Sequence, residues 1–376
     1  MSRDLRLLVG GSAVSFAGDA IALLALTLRL QPHGSGWVGA LLAAELLPAT
    51  LLAPVSGRLV DRVETRRLLV ALMSLQALVA VPLAVVRTPW LVVVLFVVLG
   101  SLAALVAPAS NALVPAVTDD PARGYRLVAT GVTLGWIVGP AAGGLLVSAL
   151  GSTGAVLIDA GSFVLLALTR LALSARRVPV PREEGERRGP HPLWRSRSLT
   201  LAVLTTSVAL MCGNVDNVAA PFRFVDELHG SPSTYGAYLA IWSLGALAGA
   251  PLTGRVASPS RALAVGNVVA GLGIAGIGLA PSTEIAYVAA AAGGVGNGLL
   301  NAAQGAVVAA HVPESEHGRA FASWGAVLSA GLLAGTLVGP LLVDAFRAGG
   351  AMVVAGALTC AVALPLVLRR TNRVPA

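Results

Sequence analysis

Hydrophobic runs of about twenty residues or more follow one another along nearly the whole chain, separated by short polar, glycine-rich or arginine-bearing breaks. Twenty residues is the length a helix needs to cross a hydrocarbon core about 30 Å thick. The pattern predicts about twelve spans, over residues 5–30, 35–60, 67–87, 89–113, 124–149, 152–174, 198–225, 232–256, 261–280, 284–310, 318–346 and 349–368. The expected fold class is an all-α membrane protein with twelve transmembrane helices in two six-helix bundles. The first apolar run has no clear small-residue cleavage site, so no cleavable signal is expected.

One break is longer than the rest. Over residues 176–197, RRVPVPREEGERRGPHPLWRSR, the apolar pattern gives way to Pro, Arg and Glu, as in a solvated linker. The expected domains are a six-helix bundle over 1–175, this linker, and a second six-helix bundle over 198–376.

The two halves are copies. Asp19, Pro54, Gly57 and Arg58 fall 197 residues before Asp216, Pro251, Gly254 and Arg255. Gly100 and Leu105 pair with Gly294 and Leu299 at a shift of 194, and Gly135, Gly139 and Pro140 with Gly335, Gly339 and Pro340 at a shift of 200. Even numbers of spans in each half give parallel repeats about an axis along the membrane normal, the organisation of a transporter whose halves rock about a central site.

Composition agrees with a membrane solvent: 56% of residues are hydrophobic, 12% are charged, and the mean hydropathy is +0.81. The net charge of +8 suggests nucleic acid only until the charges are placed. All 26 basic residues are Arg, and with a cytoplasmic N-terminus only Arg29, Arg87, Arg223 and Arg347 fall on the outer side. The positive-inside rule therefore predicts cytoplasmic termini. Without a lysine the chain has no phosphate-binding G-x-x-x-x-G-K-[ST] loop, so nucleotide-driven pumping is not expected. GLGIAG at 271–276 has the dinucleotide spacing, but it lies inside an apolar span with no preceding strand.

Enzyme and metal chemistry find no support. His33, His191, His229, His311 and His317 fall in loops or at span ends without metal or triad spacing. Cys212 and Cys360, far apart within apolar spans, read as small core residues. A non-transporting sensor would be expected to carry an added soluble domain, and none is evident.

Two motifs remain. GRLVDRVETRRLL, 57–69, sets Gly57, Leu59, Asp61, Arg62, Arg66 and Leu69 at the spacings of the cytoplasmic signature of the major facilitator superfamily. Glu64 stands where that signature usually has Gly, Thr65 where a basic residue is usual, and Ser258 replaces the acid in the second-half copy. GWIVGPAAGG, 135–144, matches the antiporter signature at Gly135, Gly139, Pro140, Gly143 and Gly144. The chain thus resembles that superfamily over its full length, and the GD at 18–19 resembles its drug and siderophore exporter branch, with macrolide efflux and enterobactin exporter proteins. The resemblance implies a gating role for Gly57, Asp61, Arg62 and Arg66, export rather than import, and spans one and seven lining a central cavity.

An ionisable group inside a span costs about 2.5 to 3.5 kcal/mol to insert and is a functional candidate by default. Asp19, Glu45, Asp159 and Asp216 qualify. Asp19 and Asp216 are expected to face one another across the cavity, with Asn214 and Asn217 beside the latter. Asp159, about a turn into its span, is expected to reach water and to be structural. Desolvation favours a neutral carboxyl, so such acids are suited to exchanging a proton for substrate. Gln76, Trp136, Trp242, Asn297, Asn301, Gln304 and Trp324 are further cavity candidates, each with packing as the competing role. Trp37, Trp90 and Trp194 sit near span ends, as interfacial anchors do.

No arginine is expected at mid-membrane depth, which favours a cationic or neutral amphipathic substrate. The reading is a bacterial inner-membrane secondary transporter, functional as a monomer, with the proton as coupling ion and no other cofactor. It exports small amphipathic compounds by alternating access. An importer of the same family and a membrane sensor are the alternatives.

Overall fold

The computed structural model describes residues 2–173, 196–313 and 316–368, without the side chains of 53–62, 197–198, 317–319, 321–322 and 366–368. The bulk of the linker, 174–195, lies outside the described residues. Among the described residues there are helices and no strands. They run as α1 (Arg3–Leu30), α2 (Ser35–Arg62), α3 (Thr65–Val85), α4 (Pro89–Val117), α5 (Pro121–Leu171), α6 (Arg197–Pro221), α7 (Pro232–Gly249), α8 (Pro259–Leu279), α9 (Thr283–His311) and α10 (His317–Leu368). Several starts are written in the sequence. Asp120 accepts from the Arg123 N–H ahead of Pro121, and Ser258 accepts from the Arg261 N–H ahead of Pro259.

Helices α5 and α10, of 51 and 52 residues, are too long for one crossing. Each is broken once, by a residue with positive φ: Gly151 (φ 70°, ψ 173°) and Arg347 (φ 62°, ψ 173°). These positions are 196 residues apart, so both repeats bend at the same place. Nine described helices are long and apolar enough to cross a membrane, α5 and α10 among them. With each of those counted as two passes and α9 added, the chain has the expected twelve.

The helices fall into two compact units, Met1–Glu186 with Ser231–Ala240, and Arg187–Gly230 with Ile241–Ala376. The first half of α7 therefore packs with the first unit, on the far side of the expected boundary. The first core gathers Leu26, Leu30, Leu69, Met73, Leu83, Phe163 and Leu166, and the second Leu199, Val203, Leu263, Leu300, Val307 and Trp324. Large apolar side chains such as Leu78, Leu145, Leu279 and Val288 point outward, as a hydrocarbon solvent permits.

Within each unit glycines press helices together, among them one repeat-related pair. A Cβ on Gly135 would stand 2.7 Å from the Ala13 carbonyl, and one on Gly139 2.7 Å from the Ala20 Cβ. In the second unit Gly335 meets the Met211 carbonyl and Gly339 the Val218 side chain in the same manner. Glycine lets the backbones of α1 and α5, and of α6 and α10, approach until van der Waals contact replaces the missing hydrophobic drive.

Arginine clamps the helix ends on one side. Buried Arg29 donates to the carbonyls of Leu83 (2.7 Å), Ala84 (2.8 Å) and Val86 (3.1 Å) at the end of α3, and to Ser152 Oγ (3.1 Å) just past the bend in α5. In the second unit Arg223 donates to the carbonyls of Ile277 and Ala280 at the end of α8, and to Glu227 Oε2 (2.8 Å). Glu227 accepts in turn from the N–H groups of Ala348 (2.9 Å) and Gly349 (3.0 Å), just past the bend in α10.

Candidate functional site

Between their end residues the spans of the first half carry three ionisable groups, Asp19, Glu45 and Asp159, and those of the second half carry Asp216. All four are acids. Gly18 brings α1 against the second half of α5, so that Asp159 Oδ1 abuts the position a Cβ on Gly18 would take. Asp19 is the next residue. It is half-buried and interacts electrostatically with Glu45 and with Asp159.

At about 1.5 Å rise per residue, Asp19 lies about 16 Å from the C-terminal end of α1. By the same rise, Glu45 lies about 15 Å from the start of α2, and Asp159 about 12 Å past the bend in α5. Those three points are measured from the same side of the first unit, and the carboxyls occupy one band of depth.

Asp159 corrects an expectation. It reaches no water: its relative exposure is 0%. The small Gly18 closes α1 over it, a contact invisible in the sequence around Asp159 itself. Ser162 Oγ donates to its Oδ1 (3.2 Å), while its buried Oδ2 has no hydrogen-bond partner among the described residues. Arg170 was equally hidden. Placed near the end of α5, it is 1% exposed, its Nη2 lies 3.3 Å from where a Cβ on Gly11 would stand, and its Nε and Nη1 have no partner among the described residues. The signals for both were the glycines of α1, one heptad apart, facing α5.

In the second unit Asp216 is buried, at 3% exposure, unlike its half-buried repeat mate Asp19. Asn214 Nδ2 donates to the Leu332 carbonyl (2.7 Å), and Asn217 Nδ2 to Asn214 Oδ1 (2.8 Å). This pair ties α6 to α10. Trp242 lays its indole over Gly293 and is a packing residue in this arrangement. Trp136, 38% exposed, stands beside Phe16 with ring centroids 6.2 Å apart.

Helix α9 carries a ladder of amides. Asn301 Nδ2 donates to Asn297 Oδ1 (3.2 Å), Gln304 Nε2 to Asn301 Oδ1 (3.0 Å), and Trp324 Nε1 to Gln304 Oε1 (3.0 Å). Asn301 is exposed, in the body of a membrane helix. An exposed amide there is costly against lipid and stable against water. The polar face of α9 therefore suits the wall of an aqueous path. Gln76 is buried in the first unit.

The two motifs are described unequally. Gly57, Asp61 and Arg62 lie in α2 among residues whose side chains fall outside the described set. Arg66 Nη2 donates to the Leu171 carbonyl, closing the end of α5 against the start of α3, and Arg67 pairs with Glu64 (2.8 Å). In the antiporter motif, Gly135 and Gly139 pack on α1 and Gly143 on Ile21, while Gly144 meets Pro232 and Gly236 and the Pro140 carbonyl also faces Gly236. Its residues are thus helix-contact residues. Among the described residues no three His, Cys, Asp or Glu side chains converge as a metal site.

The family model of the Major Facilitator Superfamily matches residues 8–216 and again 201–376, one match to each repeat. The chain belongs to the major facilitator superfamily. It is a multi-pass membrane protein of that transporter family's type. Multidrug resistance protein MdtG of Dickeya zeae is 26% identical to this facilitator over 258 residues, 65% of this chain and 62% of the relative. The multidrug efflux pump Tap of Mycobacterium tuberculosis is 28% identical over 277 residues, 66% of this chain and 64% of the relative. The chain is thus matched to a little under two thirds of the length of each. Among solved structures, the nucleoside transporter NupG superposes with a TM-score of 0.81 at 13% identity, over 97% of this chain and 98% of that one, a likeness of fold.

Proposed function

We propose that this facilitator is a proton-coupled exporter of small amphipathic compounds, cationic or neutral, with Asp19 as a proton-carrying group and the amide face of α9 as part of the substrate path. The observation that carries the reading is the charge inventory of the spans: four acids and no base between the span ends. An acid inside a membrane can be neutralised by a proton or by a cationic substrate, and competition between the two is an antiport cycle. An anionic substrate would find no cation at that depth.

The efflux names of MdtG and Tap support export, as does the antiporter motif in α5. In this reading the protein lies in a bacterial inner membrane with both termini cytoplasmic and works as a monomer, energised by the proton gradient. A proton arriving on Asp19 from outside weakens the hold on substrate, which leaves outward. Loss of the proton inside restores the site.

The test is accumulation of ethidium, erythromycin and a catecholate siderophore in an efflux-deficient bacterial host expressing the protein. Lower accumulation of any of them, abolished by a protonophore and by Asp19→Asn, is the expected result. Unchanged accumulation across the panel, or export indifferent to the protonophore, would contradict the proposal.

A further inference from the structure

Asp159 has no role in the cycle just described, yet it is the most completely buried acid among the described residues of the first unit. A structural aspartate in such a place satisfies both oxygens. Here Ser162 Oγ serves Oδ1, and Oδ2 is left with no donor among the described residues. Nor does a counter-cation face it among the described residues. From α1 it meets Gly18, whose neighbour Asp19 is the one charged residue between Arg6 and Arg29 and interacts electrostatically with Asp159 and with Glu45 of α2. α3 carries charge only in its first turn, where Arg66 holds the Leu171 carbonyl and Arg67 pairs with Glu64; α4 has no charged residue, nor has the first half of α5 after Arg126, nor the Ser231–Ala240 segment that packs with this unit. Arg29 is committed to the carbonyls at the end of α3. Arg170 lies eleven residues further along the same helix, about 16 Å by the helical rise, and is turned to Gly11.

A free carboxyl oxygen, shielded from water and beside a second carboxyl, is an arrangement for holding a proton that the neighbour supplies. Building on the proton-coupled reading, we infer that Asp159 is a second proton-carrying group, exchanging one proton with Asp19 across the Gly18 contact. The step balances within the pair: the O–H bond of the protonated Asp19 carboxyl breaks, an O–H bond forms at Asp159 Oδ2, and Asp19 is left as the carboxylate. Asp19 is the more exposed member of the pair, and Asp159 the shielded store. Gly18 is required because any side chain there would fill the space Asp159 Oδ1 occupies.

The test is an infrared pH titration of the purified full-length protein, following the carboxyl C=O bands of wild type, Asp159→Asn, Asp19→Asn and Ser162→Ala. One titrating carboxyl band is expected to vanish in Asp159→Asn and to change frequency in Ser162→Ala. Its midpoint is expected to move by about one pH unit or more in Asp19→Asn, since interacting acids titrate as a pair. A midpoint unmoved by Asp19→Asn, or no titrating band lost in Asp159→Asn, would overturn the inference. Should Asp159→Asn fail to fold, the frequency change in Ser162→Ala and the midpoint shift of that same band in Asp19→Asn carry the test. The titration needs neither substrate nor gradient, so absence of export in cells leaves it standing, and a flat titration leaves export untouched.

Discussion

Arg29 and Arg223 occupy equivalent positions 194 residues apart, and their guanidinium groups hold equivalent carbonyls: Leu83 and Val86 for the first, Ile277 and Ala280 for the second, each pair again separated by 194. The repeat thus extends to individual hydrogen bonds. The two clamps diverge at Ala84, whose carbonyl only Arg29 holds in this way, and at the bend, where Arg29 reaches Ser152 directly and Arg223 works through Glu227.

Arg29→Ala should lower stability by about 3 kcal/mol or more, because it leaves several buried carbonyls without donors, each costing about 1 to 3 kcal/mol. Arg29→Lys should recover only part, since an ammonium lacks the planar fork that serves three carbonyls at once. Thermal unfolding in detergent checks both, with Arg87→Ala, at an exposed arginine of the same end, as the unaffected control.

At the two bends the same backbone is asked of a glycine and of an arginine. Gly151 adopts φ 70° freely, whereas Arg347 at φ 62° pays about 1 to 3 kcal/mol for a region nearly reserved for glycine. Arg347→Gly is expected to raise stability by about 1 kcal/mol with transport unchanged. The ion pair it gives up, Arg347 Nε to Glu227 Oε1 at 3.7 Å with the arginine largely exposed, contributes little. Gly151→Val should do the reverse. Paired thermal-shift curves decide the sign.

What the sequence made legible follows from its solvent. Spans, repeat and linker can be read because the bilayer sets length and polarity for every helix. The bends at Gly151 and Arg347 escape such a reading, since the two-residue breaks at 150–151 and 347–348 look the same whether the chain loops or turns through one residue. Asp19 was legible as an isolated charge in an apolar run. Asp159 and Arg170 were equally visible as charges, but their burial depends on Gly18 and Gly11 more than 140 residues earlier. The packing of Trp242 on Gly293 was not legible, because a glycine carries no side chain to signal it.

The glycine contacts give a graded expectation. A Cβ at Gly139 would stand 2.8 Å from the Ala17 carbonyl, and one at Gly143 3.2 Å from the Ile21 Cα. Gly139→Ala should therefore reduce folded yield much more than Gly143→Ala. Size-exclusion profiles of the two variants provide the comparison, and Gly339→Ala, pressed on Val218, should resemble the first.

The amide ladder of α9 separates binding from folding. Asn301→Leu removes an exposed rung that accepts from Gln304 and donates to Asn297. It should raise the KM for an exported compound about tenfold, the equivalent of about 1.4 kcal/mol, with little change in thermal stability. Gln304→Ala strips the acceptor from buried Trp324 and should cost about 1 kcal/mol of stability as well.

The measurement closest to the central claim is proton movement against ethidium movement in liposomes holding a pH-sensitive dye, with the purified protein reconstituted as wild type or as Asp19→Asn. The account predicts that an ethidium gradient drives protons the opposite way in the wild type and that Asp19→Asn abolishes the proton signal. Ethidium transported with no proton signal in the wild type, or a full proton signal in Asp19→Asn, would contradict it.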